Sequence, residues 1–104
     1  MDIGKTIKRI REERGIRQSD MARRLAMRPQ SLWKIETGRG VPKMTTIDKF
    51  CEAVNVPRMY VMLRSMKWPE DLPIASNIEW EDLEEILTLA CRKMERMMRN
   101  ERTE

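Results

Sequence analysis

The 104-residue chain has no histidine and only two cysteines. Without histidine it lacks the commonest general base and the commonest nitrogen ligand for metals. Cys51 and Cys91 stand alone in the sequence and show no metal-ligand spacing. Each falls within an apolar helical pattern, where the expected role is that of a small buried hydrophobe, and a reducing cytoplasm suits such thiols. There is no glycine-rich phosphate loop and no nucleophile motif. These absences argue against an enzyme, and no cofactor or metal is expected. No stretch approaches the ~20 apolar residues of a membrane span. The first residues carry charges every few positions and lack the apolar core of a signal peptide. The expected setting is therefore cytoplasmic, away from membranes.

Charge and helix formers dominate what is present. Charged residues make up 37% of the chain and hydrophobic residues 40%. The prevailing Met, Leu, Glu, Arg, Lys and Ala are good helix formers, which predicts an all-α fold. The net charge of +4 conceals a split: residues 1–65 carry 15 Lys/Arg against 7 Asp/Glu, and residues 66–104 carry 6 against 10. A basic front suits a polyanionic partner, and an acidic back implies a different task.

Apolar periodicity divides the chain into helices. Ile3, Ile7 and Ile10 share one face of a first helix that Gly15 can end. Met21, Ala22 and Leu25 mark a second. Leu32 and Ile35 mark a third, which starts near Arg28 and stops at Gly38. Gly38 to Pro42 reads as a loop. Ile47, Phe50, Cys51 and Val54 define a fourth helix with Asn55 as a left-handed stop. Pro57 suits the first turn of a fifth, with Tyr60, Val61 and Leu63 closing the core. Two prolines, Pro69 and Pro73, interrupt any helix beyond it. The expected organisation is a domain over residues 1–66, a linker over 67–78 and a C-terminal helix within 79–104. That last helix begins acidic (Glu79, Glu81, Asp82, Glu84, Glu85) and ends basic (Arg92, Lys93, Arg96, Arg99), matching the helix dipole at both ends.

The ordered run QSDMARRLAMRPQSLWKIETG, from Gln18 to Gly38, resembles the helix-turn-helix of Cro/CI-type (XRE-like) regulators, the phage-repressor family. The likeness extends from Ile3 to about Leu63. It includes KRIREERG before the run, then VPKMTTI, and then VNVP before the fifth helix. The resemblance implies a five-helix lambda-repressor-like DNA-binding domain, to which the chain adds a C-terminal oligomerisation helix. It also implies double-stranded DNA as the partner, read through a helix in the major groove, which is wide enough to admit one. Ala22 fits the close crossing of two helices, where a large side chain would wedge them apart. The chain departs from the family at Ala26, where the tight turn normally has glycine; a left-handed alanine there costs about 1 kcal/mol.

The resemblance also assigns site residues. Arg28, Pro29, Gln30, Trp33 and Lys34 would face the bases. Gln30 can bond adenine through N6 and N7, Lys34 or Arg28 can donate to guanine, and Pro29 can pack on a thymine methyl. Trp33 admits two readings, a contact at the groove edge or packing within the protein or a dimer. Gln18 and Ser31, near helix N-termini, resemble the family's phosphate-contacting positions; Arg17, Arg39 and Lys43 flank the same surface and as a group suit phosphates, although each alone also fits a solvated surface. Glu36 resembles the family's structural glutamate, paired with an arginine at the position of Arg11.

In the C-terminal helix, Leu83, Leu87, Ala90, Met94 and Met97 recur at spacings of four and three, a coiled-coil type of seam. Dimerisation is the favoured reading, since the first five helices already resemble a complete domain; the alternative is packing back onto that domain. The resulting expectation is a regulator, favoured as a repressor, that binds a roughly palindromic operator as a homodimer. An antitoxin or partner-controlled regulator whose tail binds another protein is the second reading. An RNA-binding or coactivator module is the third.

Overall fold

The computed structural model describes residues 1–67 and 79–103, excluding the side chains of Trp80, Leu83, Glu84 and residues 100–103. Most of the expected linker therefore lies outside the described residues. Among them there are six helices and no strand: α1 (Ile3–Glu13), α2 (Gln18–Arg24), α3 (Pro29–Glu36), α4 (Met44–Val54), α5 (Arg58–Ser65) and α6 (Trp80–Thr103). None of these helices is long and apolar enough to cross a membrane.

One device ends each of the first four helices. Gly15, Ala26, Gly38 and Asn55 all have positive φ, at 66°, 54°, 81° and 56°. In each case the residue itself and its successor donate back to carbonyls of the last turn. The pairs are Gly15 to Glu12 with Ile16 to Arg11, Ala26 to Arg23 with Met27 to Ala22, Gly38 to Ile35 with Arg39 to Lys34, and Asn55 to Glu52 with Val56 to Cys51. This is the Schellman arrangement, which satisfies carbonyls the helix would otherwise leave open. The alanine accepts the left-handed conformation because its turn is locked by both bonds. Pro57 occupies the N-cap of α5, just outside the helix rather than in its first turn. Its β-region backbone suits that position, and its missing N–H leaves no donor to satisfy.

The core is built from the apolar faces of all the helices. Ile7, Ile10, Met21, Leu32, Phe50 and Val61 are fully covered, and Ala22, Leu25, Ile47, Val54 and Tyr60 surround them. Truncating Phe50 to alanine is expected to cost about 3–5 kcal/mol through lost burial and the cavity left behind. Gly4 is placed where α1 crosses the end of α3: a Cβ there would collide with the Ile35 carbonyl oxygen. Only glycine permits that approach. The chain start is tied down as well, because the Asp2 N–H donates to the Ser65 carbonyl and Asp2 caps α1 through the Lys5 N–H.

The helix α6 returns to this body. Met98 is buried in the core, and Cys91 and Met94 pack against it. The Tyr60 hydroxyl donates to Glu95 at 2.7 Å, and Arg64 forks onto both carboxylate oxygens of Glu13 at 2.8 and 2.9 Å while also donating to the Tyr60 oxygen. The chain Glu13–Arg64–Tyr60–Glu95 thus staples α1, α5 and α6 together.

Candidate nucleic-acid interface

Helices α2 and α3 form the expected pair. Their contact is lined by Met21, Ala22 and Leu25 from one side and Leu32 and Ile35 from the other, all buried. Ala22 is completely covered at this contact. Arg28 is the N-cap of α3, with extended backbone, and Pro29 is its first residue. That place suits proline, because the first N–H of a helix has no partner inside it. Leu32, Ile35 and Glu36 face inward. Arg28, Pro29, Gln30, Ser31, Trp33 and Lys34 are exposed.

The inward Glu36 fixes α3 to the rest of the domain. Arg11 donates to its two carboxylate oxygens from Nε (2.7 Å) and Nη2 (2.9 Å), and Gln18 donates from Nε2 at 3.0 Å. The Arg11 Nη1 group reaches the Ile16 carbonyl at 2.8 Å, so the guanidinium is held on both sides. Hydrogen bonding to Glu36 pushes the Arg11 pKa upward against the opposing effect of burial. The pair is nearly sealed, with side-chain exposures of 10% and 1%. Such a pair stabilises little relative to an apolar isostere but is costly to break on one side only. Its positional effect is clear: it sets the depth and rotation of α3 relative to α1 and α2.

The five residues assigned to phosphates have different surroundings. Arg17, Ser31, Arg39 and Lys43 are exposed. Arg17 and Lys43 are the N-cap residues of α2 and α4. The Gln18 side-chain amide donates one N–H to Glu36, which leaves its second N–H and the backbone at the start of α2 for an anion. Arg39 stacks on the Trp33 ring, its guanidinium carbon 4.8 Å from the ring centroid. The engagement of Gln18 and the stacking of Arg39 were not legible in the sequence, since each partner is brought close only by the helix-turn-helix itself.

In α6 the structure divides the seam residues between two surroundings. Met94 packs on the core, and Leu87 lines a cleft with Leu63, Met66 and Cys91. Ala90 is half-buried, whereas Met97 is exposed. The side chain of Leu83 lies outside the described residues. A second stripe, Ile86, Leu89 and Met97, faces solvent at 59%, 53% and 55% exposure. No cluster of metal-ligating side chains occurs among the described residues.

The comparisons with known proteins agree with this architecture. A family model for the helix-turn-helix domain matches residues 2–59, more than half of the chain. Endothelial differentiation-related factor 1 from Rattus norvegicus is 30% identical over 56 residues, as is the protein of the same name from Mus musculus. Each alignment takes in 54% of this chain and 38% of the relative's length.

Proposed function

The chain belongs to the helix-turn-helix domain family, and from that premise we propose that it is a sequence-specific, duplex-DNA-binding transcription regulator of the XRE-like kind, acting as a repressor. The supporting observation is the outward face of α3. Gln30, Trp33 and Lys34 project from a helix whose inner side is pinned by a buried ion pair, and exposed cations flank it. Gln30 suits the N6/N7 edge of adenine, and Lys34 or Arg28 suits guanine O6 and N7. Pro29 offers apolar contact to a thymine methyl. Arg17, Ser31, Arg39 and Lys43 supply backbone anchoring, which positions the helix but carries no sequence information.

The proposed unit is a homodimer on a roughly palindromic operator, with residues 1–66 binding DNA and α6 joining the two copies. The exposed stripe of α6 supports this role. Its acidic beginning (Glu81, Asp82, Glu85) and basic end (Arg92, Lys93, Arg96, Arg99) become complementary when two copies run antiparallel. The same stripe supports a second reading, in which another protein docks there and controls the regulator. Ile86→Glu combined with Leu89→Glu discriminates the two by sedimentation. A dimer that becomes monomeric supports self-association; a wild type that is already monomeric supports the partner reading.

The direct test of function is selection of bound duplexes from a random pool. Enrichment of two inverted half-sites at fixed spacing is the expected result. Gln30→Ala should then lose about 1–3 kcal/mol at the preferred site and relax the preference at one base pair per half-site. Failure to enrich any sequence, or equal loss on all duplexes, overturns the assignment of α3 as the reading helix.

A further inference from the structure

The four Schellman ends of this domain allow an internal comparison. In this motif the residue after the left-handed position usually makes an apolar contact back onto the helix. Ile16, Met27 and Val56 hold that place after α1, α2 and α4, and all three pack against or within the core. After α3 the place is held by Arg39, whose N–H donates to the Lys34 carbonyl at 2.8 Å. Its platform is the ring of Trp33, one turn back on the exposed side of α3 and itself 38% exposed. Thr37 tightens the same turn by donating its hydroxyl to the Trp33 carbonyl at 2.8 Å. Among the described residues Arg39 has no carboxylate partner. Among the described residues none of its guanidinium N–H groups is spent on an acceptor, and five N–H groups in a rigid fork match a phosphate.

We propose that Trp33 is a positioning residue: its ring holds Arg39 in a preset pose as a phosphate clamp at the C-terminal end of the reading helix, and it does not read a base. The proposal rests on the duplex-DNA reading and specifies what one of its exposed residues does. An arginine side chain otherwise loses substantial rotamer freedom when it orders on DNA. Stacking on Trp33 removes part of that loss before binding, and the left-handed Gly38 with the Thr37 bond fixes where the stack points. Lys34, on the same turn, remains the neighbouring base reader.

The test compares Arg39→Ala, Trp33→Ala, Trp33→Phe and the double variant Trp33→Ala/Arg39→Ala. Each is titrated with the selected operator and with a duplex of unrelated sequence at several salt concentrations. Losing one phosphate contact lowers the log–log salt slope by about 0.9, so the fall in affinity between 50 and 200 mM salt becomes about 3.5-fold smaller. Arg39→Ala should show this on both duplexes. Trp33→Ala should show a fraction of the same change, with base preference intact. The phenylalanine variant, which keeps an aromatic face, should restore most of the slope. The double variant should be no weaker than Arg39→Ala alone. Thermal melting of each variant checks that the fold is retained, as expected for an exposed ring. If Trp33→Ala keeps the wild-type slope but alters preference at a base pair, Trp33 is a base reader and the clamp is wrong. Additive losses in the double variant overturn it as well. A wild type that binds no duplex overturns the functional reading itself, a different outcome from a normal wild type with an uncoupled Trp33.

Discussion

Cations around α3 and cations around α5 meet opposite circumstances in this fold. Near α3, Arg17, Arg28, Lys34, Arg39 and Lys43 are exposed, and among the described residues none has a carboxylate partner. Away from that face, Arg64 is forked onto Glu13 and also donates to Tyr60, Arg58 meets Asp48 at 2.6 Å, and Arg11 is sealed against Glu36. Arginines of the second group each join two different helices, Arg64 and Arg11 across long stretches of sequence and Arg58 to the neighbouring α4, and act as staples. Cations of the first group meet no carboxylate among the described residues, Arg39 lying over the Trp33 ring instead, and the repulsion they add to the folded state is relieved by an external anion. The difference separates residues whose loss should lower stability from residues whose loss should lower affinity.

The largest expected effect is at the most deeply paired staple. Glu36→Ala leaves Arg11 buried without its partner and should cost about 3–5 kcal/mol in denaturant unfolding. Replacing both members by apolar residues of similar size, Arg11→Met with Glu36→Leu, should recover much of that loss. A single variant within 1 kcal/mol of wild type would show that the pair does not hold α3.

Next comes Tyr60, which bridges α5 and α6. Tyr60→Phe removes one hydrogen bond to Glu95 and one from Arg64, and should cost about 1 kcal/mol. Burial first, and then hydrogen bonding to Glu95, pushes the hydroxyl pKa from 10.0 up to about 12. A raised pKa means the neutral phenol is favoured in the folded state. Its contribution is therefore fully present below pH 10 and is lost as pH rises toward 12. The chain has one tyrosine, so tyrosinate absorbance reports this group directly. Titration at the ordinary value in the folded protein would place Tyr60 outside the staple.

Glu13 gives the matching test on the acid side. Hydrogen bonding from Arg64 holds its pKa below the usual carboxylate value. The stability it contributes is present above the unfolded pKa and lost as pH falls through the depressed folded one. Glu13→Gln should flatten that acid limb by a small amount, because the carboxylate is partly exposed and screened. Urea midpoints across the acid range would record it, and an unchanged limb would remove Glu13 from the staple.

The smallest stability effects separate the two groups most sharply. Arg58→Ala should shift stability by less than about 1 kcal/mol and leave the salt dependence of DNA binding unchanged. Lys43→Ala should leave stability unchanged and lower the log–log salt slope by about 0.9. An exchange of these phenotypes would erase the distinction drawn between the two regions.

Local chemistry made much of this arrangement readable. The periodic isoleucines of α1, the left-handed stops at Gly15, Gly38 and Asn55, and proline at the start of α3 each express a short-range preference that one turn of chain can enforce. Pro57 marked the start of α5 but not its exact place, since proline suits both the N-cap and the first turn. The α6 pattern was ambiguous for a different reason: Leu87, Cys91, Met94 and Met98 form one apolar stripe and Ile86, Leu89 and Met97 another, and helical spacing cannot say which stripe meets the body. Gly4 carried no signal either, because a glycine in a first helical turn is unremarkable until another backbone approaches it.

The sequence by itself determined helix content, the order of the elements and the concentration of positive charge in residues 1–65, because propensity, periodicity and composition act along the chain. Only the tertiary structure decided that Gln18 serves Glu36, that Arg39 lies on Trp33, and that Tyr60 reaches Glu95. Those partners are joined by side-chain geometry across packed helices. Direction and distance, which no spacing rule encodes, select one partner from the many that charge and polarity alone would allow.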